Sequence, residues 1–437
     1  MSKEKDELVT PPLSEAISNG KVESHNEQQL EFSLGDNKST KPQNSKSKNY
    51  SKNSTSKPKN KGNEVGELLE FRAKRLLFHM GYYPRSNIIV KTSLDDESET
   101  ITDLDVYGVY VHKDFRSKKV WVDCKAGMAR PHERISWIKG VRQFVDVDDI
   151  LFIKSNIRSP IKNFARKNNI QILELHQLEK LEQDYKIKAN NWMGSWNPST
   201  ISGKLKEFTS ISIPNNTQYK KIGTFISIEY WSYDIYTRLK KSMAALREVA
   251  SLPFEAMKPN ELMASKWAVY EVTILFALSV LSICEELYYL DDRERTSALY
   301  EEVVNGGIDA KKRNELVNAS FRAAFEITKS KYPDFVIPNI TDLAKNNPPS
   351  YFQPLNDLLS RIVHNPLDYY DVLRPLDFVL MENELLDRRI NLSLLNEMFT
   401  NIEGNFRGMK TIITFVTQVL GVPSNMYIQF NTTKSSI

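Results

Sequence analysis

ITDLDVYGVYVHKDFRSKKVWVDCKAG occupies residues 101–127, and its pattern of apolar and charged positions decides the reading of the chain. Thr102 to Val111 and Lys119 to Lys125 read as two strands joined by the polar turn HKDFRSKK. Residues two apart on a strand share a face, so Asp103 and Asp105 form one pair and Asp123 and Lys125 another. A hairpin symmetric about position 114 sets Asp105 opposite Asp123 and Asp103 opposite Lys125, with β-carbons roughly 5 Å apart. All four side chains are then expected to converge. Opposed carboxylates repel, and the flanking Val106, Val109, Val120 and Val122 mark both strands as buried, so a positive charge must compensate. Mg²⁺ does this while keeping room for water and phosphate oxygens. Lys125 is no ligand while charged, but it can orient a water and stabilise charge on a phosphorane-like transition state. The inventory suits phosphodiester hydrolysis.

Working outward, Glu64 to Met80 spaces Leu68, Leu69, Phe71, Leu76 and Leu77 as a helix that Gly81 stops. Ile88 to Lys91 reads as a further strand ahead of the pair. Beyond the pair come a helix from about Glu133 to Val145, a strand over Asp149–Lys154, a helix over Pro160–Asn168, a strand over Ile170–Leu175 and a closing helix over His176–Gln183. The expected order is αβββαβαβα. After the joint NNWMGSWNPST (190–200), a β-hairpin is expected between Leu205 and Trp231, turning at Pro214 to Asn216. Helices follow over Asp234–Ala250, Asn260–Leu290, Lys311–Lys331, Tyr351–Val363 and Phe406–Leu420.

These residues resemble the PD-(D/E)xK, or restriction-endonuclease-like, nuclease superfamily over about Glu64 to Leu181, under a third of the chain. The resemblance implies an α/β core of αβββαβ order, a mixed central sheet flanked by helices. It implies that Asp105 and Asp123 bind metal, that Lys125 completes the tripeptide and that a glutamate of the first helix joins them. Glu70, Ala73, Leu77, Gly81 and Tyr82 resemble the helix-one pattern of the Holliday-junction-resolvase-like and modified-DNA-restriction branches, which makes Glu70 the partner and Glu67 the reserve. Gln143 resembles a polar residue that many members set near the site. The proline of the family name is absent, and the tripeptide reads Asp-Cys-Lys, with Cys124 expected to point into the sheet.

Residues 113–190 carry 17 Lys and Arg against 10 Asp and Glu, a local excess in a chain whose formal charge is only +4. Arg130, Arg134, Lys139 and Arg142 follow the tripeptide, where a nucleic-acid backbone is expected to pass. Residues 1–62 are poor in apolar side chains and are expected to be a disordered tail; eight lysines and no acid lie between Lys38 and Lys61. The expected organisation is this tail, a nuclease domain over 63–188, and a linker, short hairpin and mostly α-helical second domain over 189–437.

Two cysteines exclude a disulfide framework, and no Cys/His spacing suits zinc. There is no Walker A loop and no GxGxxG. The N-terminus lacks a targeting pattern, and the apolar run Val272 to Cys284 is short of the about 20 residues of a bilayer span, so a cytoplasmic protein without membrane contact is expected. Trp192 and Trp196 are expected in packing between domains. NDLLSRIVHN (356–365) is faintly similar to the HEPN ribonuclease motif, but Arg361 and His364 are too close together for it, and a helix C-terminal histidine explains the pattern. The expected function is a Mg²⁺-dependent endonuclease, Mn²⁺ substituting, acting on DNA. Its helical part would serve recognition, homodimerisation or a partner protein. The alternative is a nucleic-acid-binding module whose nuclease site has lapsed, and restriction, phage defence, repair and element mobility all suit the composition.

Overall fold

The computed structural model describes residues 61–94, 98–127, 130–188, 191–192, 194–306, 310–336 and 348–432. The expected tail lies outside the described residues, except for its last two positions, which begin α1 (Lys61–His79). Leu69, Ala73, Leu76 and Leu77 of α1 are buried at helical intervals. The helix ends where Gly81 takes φ +97°, a conformation that a side chain would strain, and a Cβ there would also meet the Tyr110 ring at 2.9 Å.

Strands β1 (Tyr83–Arg85), β2 (Ile88–Lys91), β3 (Thr100–Leu104), β4 (Val106–Val111) and β5 (Ser117–Cys124) follow, then α2 (Pro131–Val141), β6 (Asp149–Ile153), α3 (Ser159–Lys167), β7 (Ile170–Leu173) and α4 (Leu175–Asp184). Five strands form a mixed sheet in the order β1-β4-β5-β6-β7, and β2 and β3 form a separate ribbon. β1, β4 and β5 are antiparallel neighbours, whereas β5, β6 and β7 run parallel. The β4–β5 hairpin has the expected register, Val106 opposite Val122 and Tyr107 opposite Trp121. Alternation then sorts the side chains. Val106, Val120, Val122 and Cys124 face α1 and α4 in a small apolar cluster. Tyr107 and Trp121 face the other way, with Ile135 and Ile138 of α2 and Ala165 of α3, in the main core.

Two local expectations are corrected. The strand Thr102–Val111 is two strands, because the chain bends at Asp105 and β3 leaves the main sheet to pair with β2. The expected hairpin between Leu205 and Trp231 is helical: α5 (Pro198–Thr209) and α6 (Thr217–Thr224) run into a π turn (Phe225–Glu229) and the short α7 (Tyr230–Ser232). Tyr219, Ile222, Ile226 and Tyr230 are all buried, a helical spacing that the turn residues Pro214, Asn215 and Asn216 obscured.

The remainder is mostly helical. α8 (Ile235–Ala250) packs on α9 (Pro259–Leu287), the central helix. α9 is long and apolar enough to cross a membrane, yet 94% of its apolar window is buried inside the protein, so it is a core helix. The main core runs without interruption from Phe78 and Trp121 to Trp267, Leu275 and Phe415, and all described residues fall in one compact unit. The joint is part of that core. Trp196 stacks near Trp192, its backbone N–H donates to Glu382 at 2.9 Å, and the buried Lys74 ammonium lies 3.9 Å over its ring. His364 closes the helix Phe352–His364, with its Nε2 3.2 Å from Arg295.

The C-terminal helix Ile428–Thr432 is tied down by Glu384, whose Oε1 accepts from the backbone N–H groups of Gln429 (2.7 Å) and Phe430 (3.2 Å). Burial outweighs those two donors and pushes the Glu384 carboxyl up to about 7. A carboxyl that holds its proton more tightly folded than unfolded adds stability at low pH and loses it as pH rises through its folded value. Thermal unfolding should therefore show that Glu384→Gln gains on wild type between pH 5 and pH 8; parallel profiles would refute the assignment.

Candidate active site

Parallel β5, β6 and β7 end at one edge of the sheet, which they share with the start of antiparallel β4, and open α/β sheets bind ligands at such an edge. Asp123 and Lys125 stand at the end of β5, Lys154 follows β6, Glu174 follows β7, and Asp105 precedes β4. Asp105 is placed by its own hydrogen bond. Its Oδ2 accepts from the Cys124 N–H at 2.7 Å, where a ladder carbonyl would otherwise serve, which explains the bend that ends β3. The Lys125 ammonium is 3.5 Å from the same oxygen, and the Lys125 backbone N–H donates to Ile153 O at 3.1 Å.

The acids crowd one another. Asp105 is pushed up to about 6, first by burial and then by Asp123, with Lys125 and the Cys124 N–H opposing. Glu70 of α1 is pushed up to about 7, again first by burial and then by Asp105, with Lys125 opposing. Asp105 thus stands in the electrostatic field of both other acids. Asp123 is only 1% exposed and, like Trp121, projects toward α2. There Arg134 grips it with two bonds, Nε to Oδ2 at 2.9 Å and Nη2 to Oδ1, while the guanidinium lies 3.6 Å over the Trp137 ring.

Lys125 and Asp105 are therefore in contact, and Glu70 and Asp123 each act on Asp105 electrostatically. Asp103 is not opposite Lys125, as expected of a continuous strand; it pairs with Ile89 in the β2–β3 ribbon and is exposed. It still contributes repulsion to Glu70 and Asp105, as Glu67 does to Glu70. Cys124 points into the apolar cluster beneath α1, as expected, and burial holds its thiol well above the ordinary range.

Of the residues expected along a nucleic-acid backbone, Arg134 is spent on Asp123, and Arg130 is exposed with a 3.0 Å bond to Glu133. α2 runs away from the acids toward the opposite edge of the sheet. Arg142 bonds Asp148 O at 2.7 Å, just before β6 begins, and Gln143 is exposed about 13 Å along the helix from Arg134. Lys139 is exposed between them. Arg142, Gln143 and Lys139 are therefore not brought to the carboxylates.

Sequence reasoning names Arg134 for its charge but not Asp123 as its partner, and it misses Lys154. Lys154, 8% exposed, donates to Gly127 O at 2.5 Å and so pins the loop after Lys125. A lysine closing the apolar strand DILFI was its available signal.

The donor set fits a divalent cation in part. Asp105 and Glu70 are carboxylates that burial and mutual repulsion push up, with Lys125 as the opposing charge. Among the described residues, however, no three His, Cys, Asp or Glu are drawn together as a ready ligand group. Asp123 is turned to Arg134. Comparison with family models, curated proteins and solved structures returns no match to this chain, so a functional reading rests on its own residues.

Proposed function

We propose that the chain is a metal-dependent endonuclease that hydrolyses phosphodiester bonds, with DNA as its substrate. The observation that supports this reading is the contact of Lys125 Nζ with Asp105, 3.5 Å, at the carboxyl edge where β5 also places Asp123. Asp105 and Asp123, assisted by Glu70, are the residues that would hold Mg²⁺ or Mn²⁺. Such an ion supplies Lewis-acid stabilisation of the scissile phosphate. Lys125, 32% exposed in its side chain, donates from its ammonium to a non-bridging phosphate oxygen as charge builds there. Lys154 holds Gly127, two positions beyond Lys125, by its carbonyl. Incubating the full chain with plasmid, single-stranded DNA and RNA, with Mg²⁺ or with chelator, tests the reading. Chelator-sensitive DNA products are expected, and intact substrate throughout would refute it.

The Arg134 grip on Asp123 favours a second reading, a nucleic-acid-binding module whose site no longer cuts. The two readings part on stability. Removing one partner of a buried ion pair strands the other charge, so Arg134→Ala should cost about 3–5 kcal/mol in chelator. In the nuclease, millimolar Mg²⁺ should restore much of that loss by replacing the guanidinium; a lapsed site should show no Mg²⁺ effect on unfolding.

A further inference from the structure

A cleft of about 440 Å³ opens between the β2–β3 ribbon, β4 and α7. Leu104, Tyr107, Trp231 and Phe144 give it apolar and aromatic walls, and Lys91 and Arg238 line it with two cations. The aromatic polar atoms are already satisfied: the Trp231 indole donates to Ile226 O at 3.0 Å and the Tyr107 hydroxyl to Asp146 O at 3.3 Å. Their rings meet edge to face at 5.6 Å, and Phe144 is left 60% exposed beside them. Arg238 is anchored by one bond, Nη2 to Trp231 O at 3.2 Å, while its Nε is buried with no partner. The one acid in the lining, Asp146, is engaged by Lys119. Walls of this kind take a flat apolar ring, and the cations take an anion attached to it.

The position matters as much as the chemistry. Leu104 and Tyr107 flank Asp105 in the chain, and Tyr107 shares the Trp121 and Asp123 face of the sheet. Tyr107 lies two positions beyond Asp105, roughly 7 Å along an extended chain. We propose that the cleft holds one unstacked nucleotide of the substrate strand, its base between Tyr107, Trp231 and Phe144 and its phosphate met by Arg238 and Lys91. The assignment of the ligand to a nucleic-acid strand rests on the nuclease reading; the cleft itself does not depend on cleavage.

Calorimetric titration of the metal-free full chain with deoxyadenosine monophosphate tests this, with deoxyadenosine, inorganic phosphate and decanoate as comparison ligands. Saturable binding of the nucleotide is expected, tighter than that of the other three. Phe144→Ala, an exposed position that folding tolerates, should loosen it by about 5- to 100-fold, the worth of a base–aromatic stack. Arg238→Gln should bring nucleotide and nucleoside to similar affinity. Absence of saturable binding, phosphate or decanoate binding as tightly as the nucleotide, or unchanged nucleotide affinity in both variants would overturn the proposal. A chain that cuts plasmid while both variants bind as wild type loses only the cleft. A chain that binds the nucleotide through Phe144 and Arg238 but never cuts loses only the nuclease reading.

Discussion

Lys125→Ala should slow DNA cleavage by about 10²–10³-fold in kcat, the usual loss when one donor to a developing phosphate charge is removed. KM should move little, because on the proposed reading the ammonium would act when charge peaks on the phosphorane-like centre. Asp105→Asn should be at least as severe, since it deletes a carboxylate at the point where Glu70 and Asp123 both act electrostatically. Asparagine is the informative substitution. Its side-chain oxygen can still accept from the Cys124 N–H, so the bend between β3 and β4 survives and lost activity is not lost fold. Steady-state kinetics on plasmid, with circular dichroism to confirm folding, would check both. Wild-type rates in either variant would remove these residues from the chemistry.

The second large effect concerns stability. Arg85 on β1 is 4% exposed and pairs with Glu271, fully buried on α9, so one ion pair ties the edge of the main sheet to the central helix. The pair is incompletely satisfied, because Arg85 Nε and Glu271 Oε1 have no partners. Arg85→Met would leave the Glu271 carboxylate stranded in the core and should cost about 3–5 kcal/mol. The double change Arg85→Met with Glu271→Leu removes both charges at similar volume, and should recover most of that loss or exceed wild type. Denaturant unfolding of the two proteins decides it: a double variant as unstable as the single one would show that shape, not uncompensated charge, is at stake.

The sheet was legible because its strands obey local rules. Val106 to Val111 and Val120 to Val122 are apolar runs on either side of a polar turn, and the register inferred from turn symmetry is the one found. The apolar run of α9 was legible as a core helix for the same reason: charge at both ends and nothing polar enough between to seek water. Failures came where long-range contacts overrode local pattern. Asp105 breaks a strand because Cys124, nineteen positions away, offers it a donor. Thr217 to Ser232 is helical because Tyr219, Ile222, Ile226 and Tyr230 all face the core, which no local turn signal could reveal. Arg134 lies on a helix that faces the acids only at its amino end, so a basic run along α2 read as one surface was in fact divided between an ion pair and the far edge of the sheet.

The same geometry defines the decisive test. On the proposed reading Asp105 and Asp123 would share one cation site, and at rest Arg134 holds Asp123. Titration of the full chain with Mn²⁺, followed by electron paramagnetic resonance, should show saturable binding that Mg²⁺ competes away and that Asp105→Asn and Asp123→Asn each abolish. Binding that is absent in the wild type, or unchanged in both variants, would contradict it.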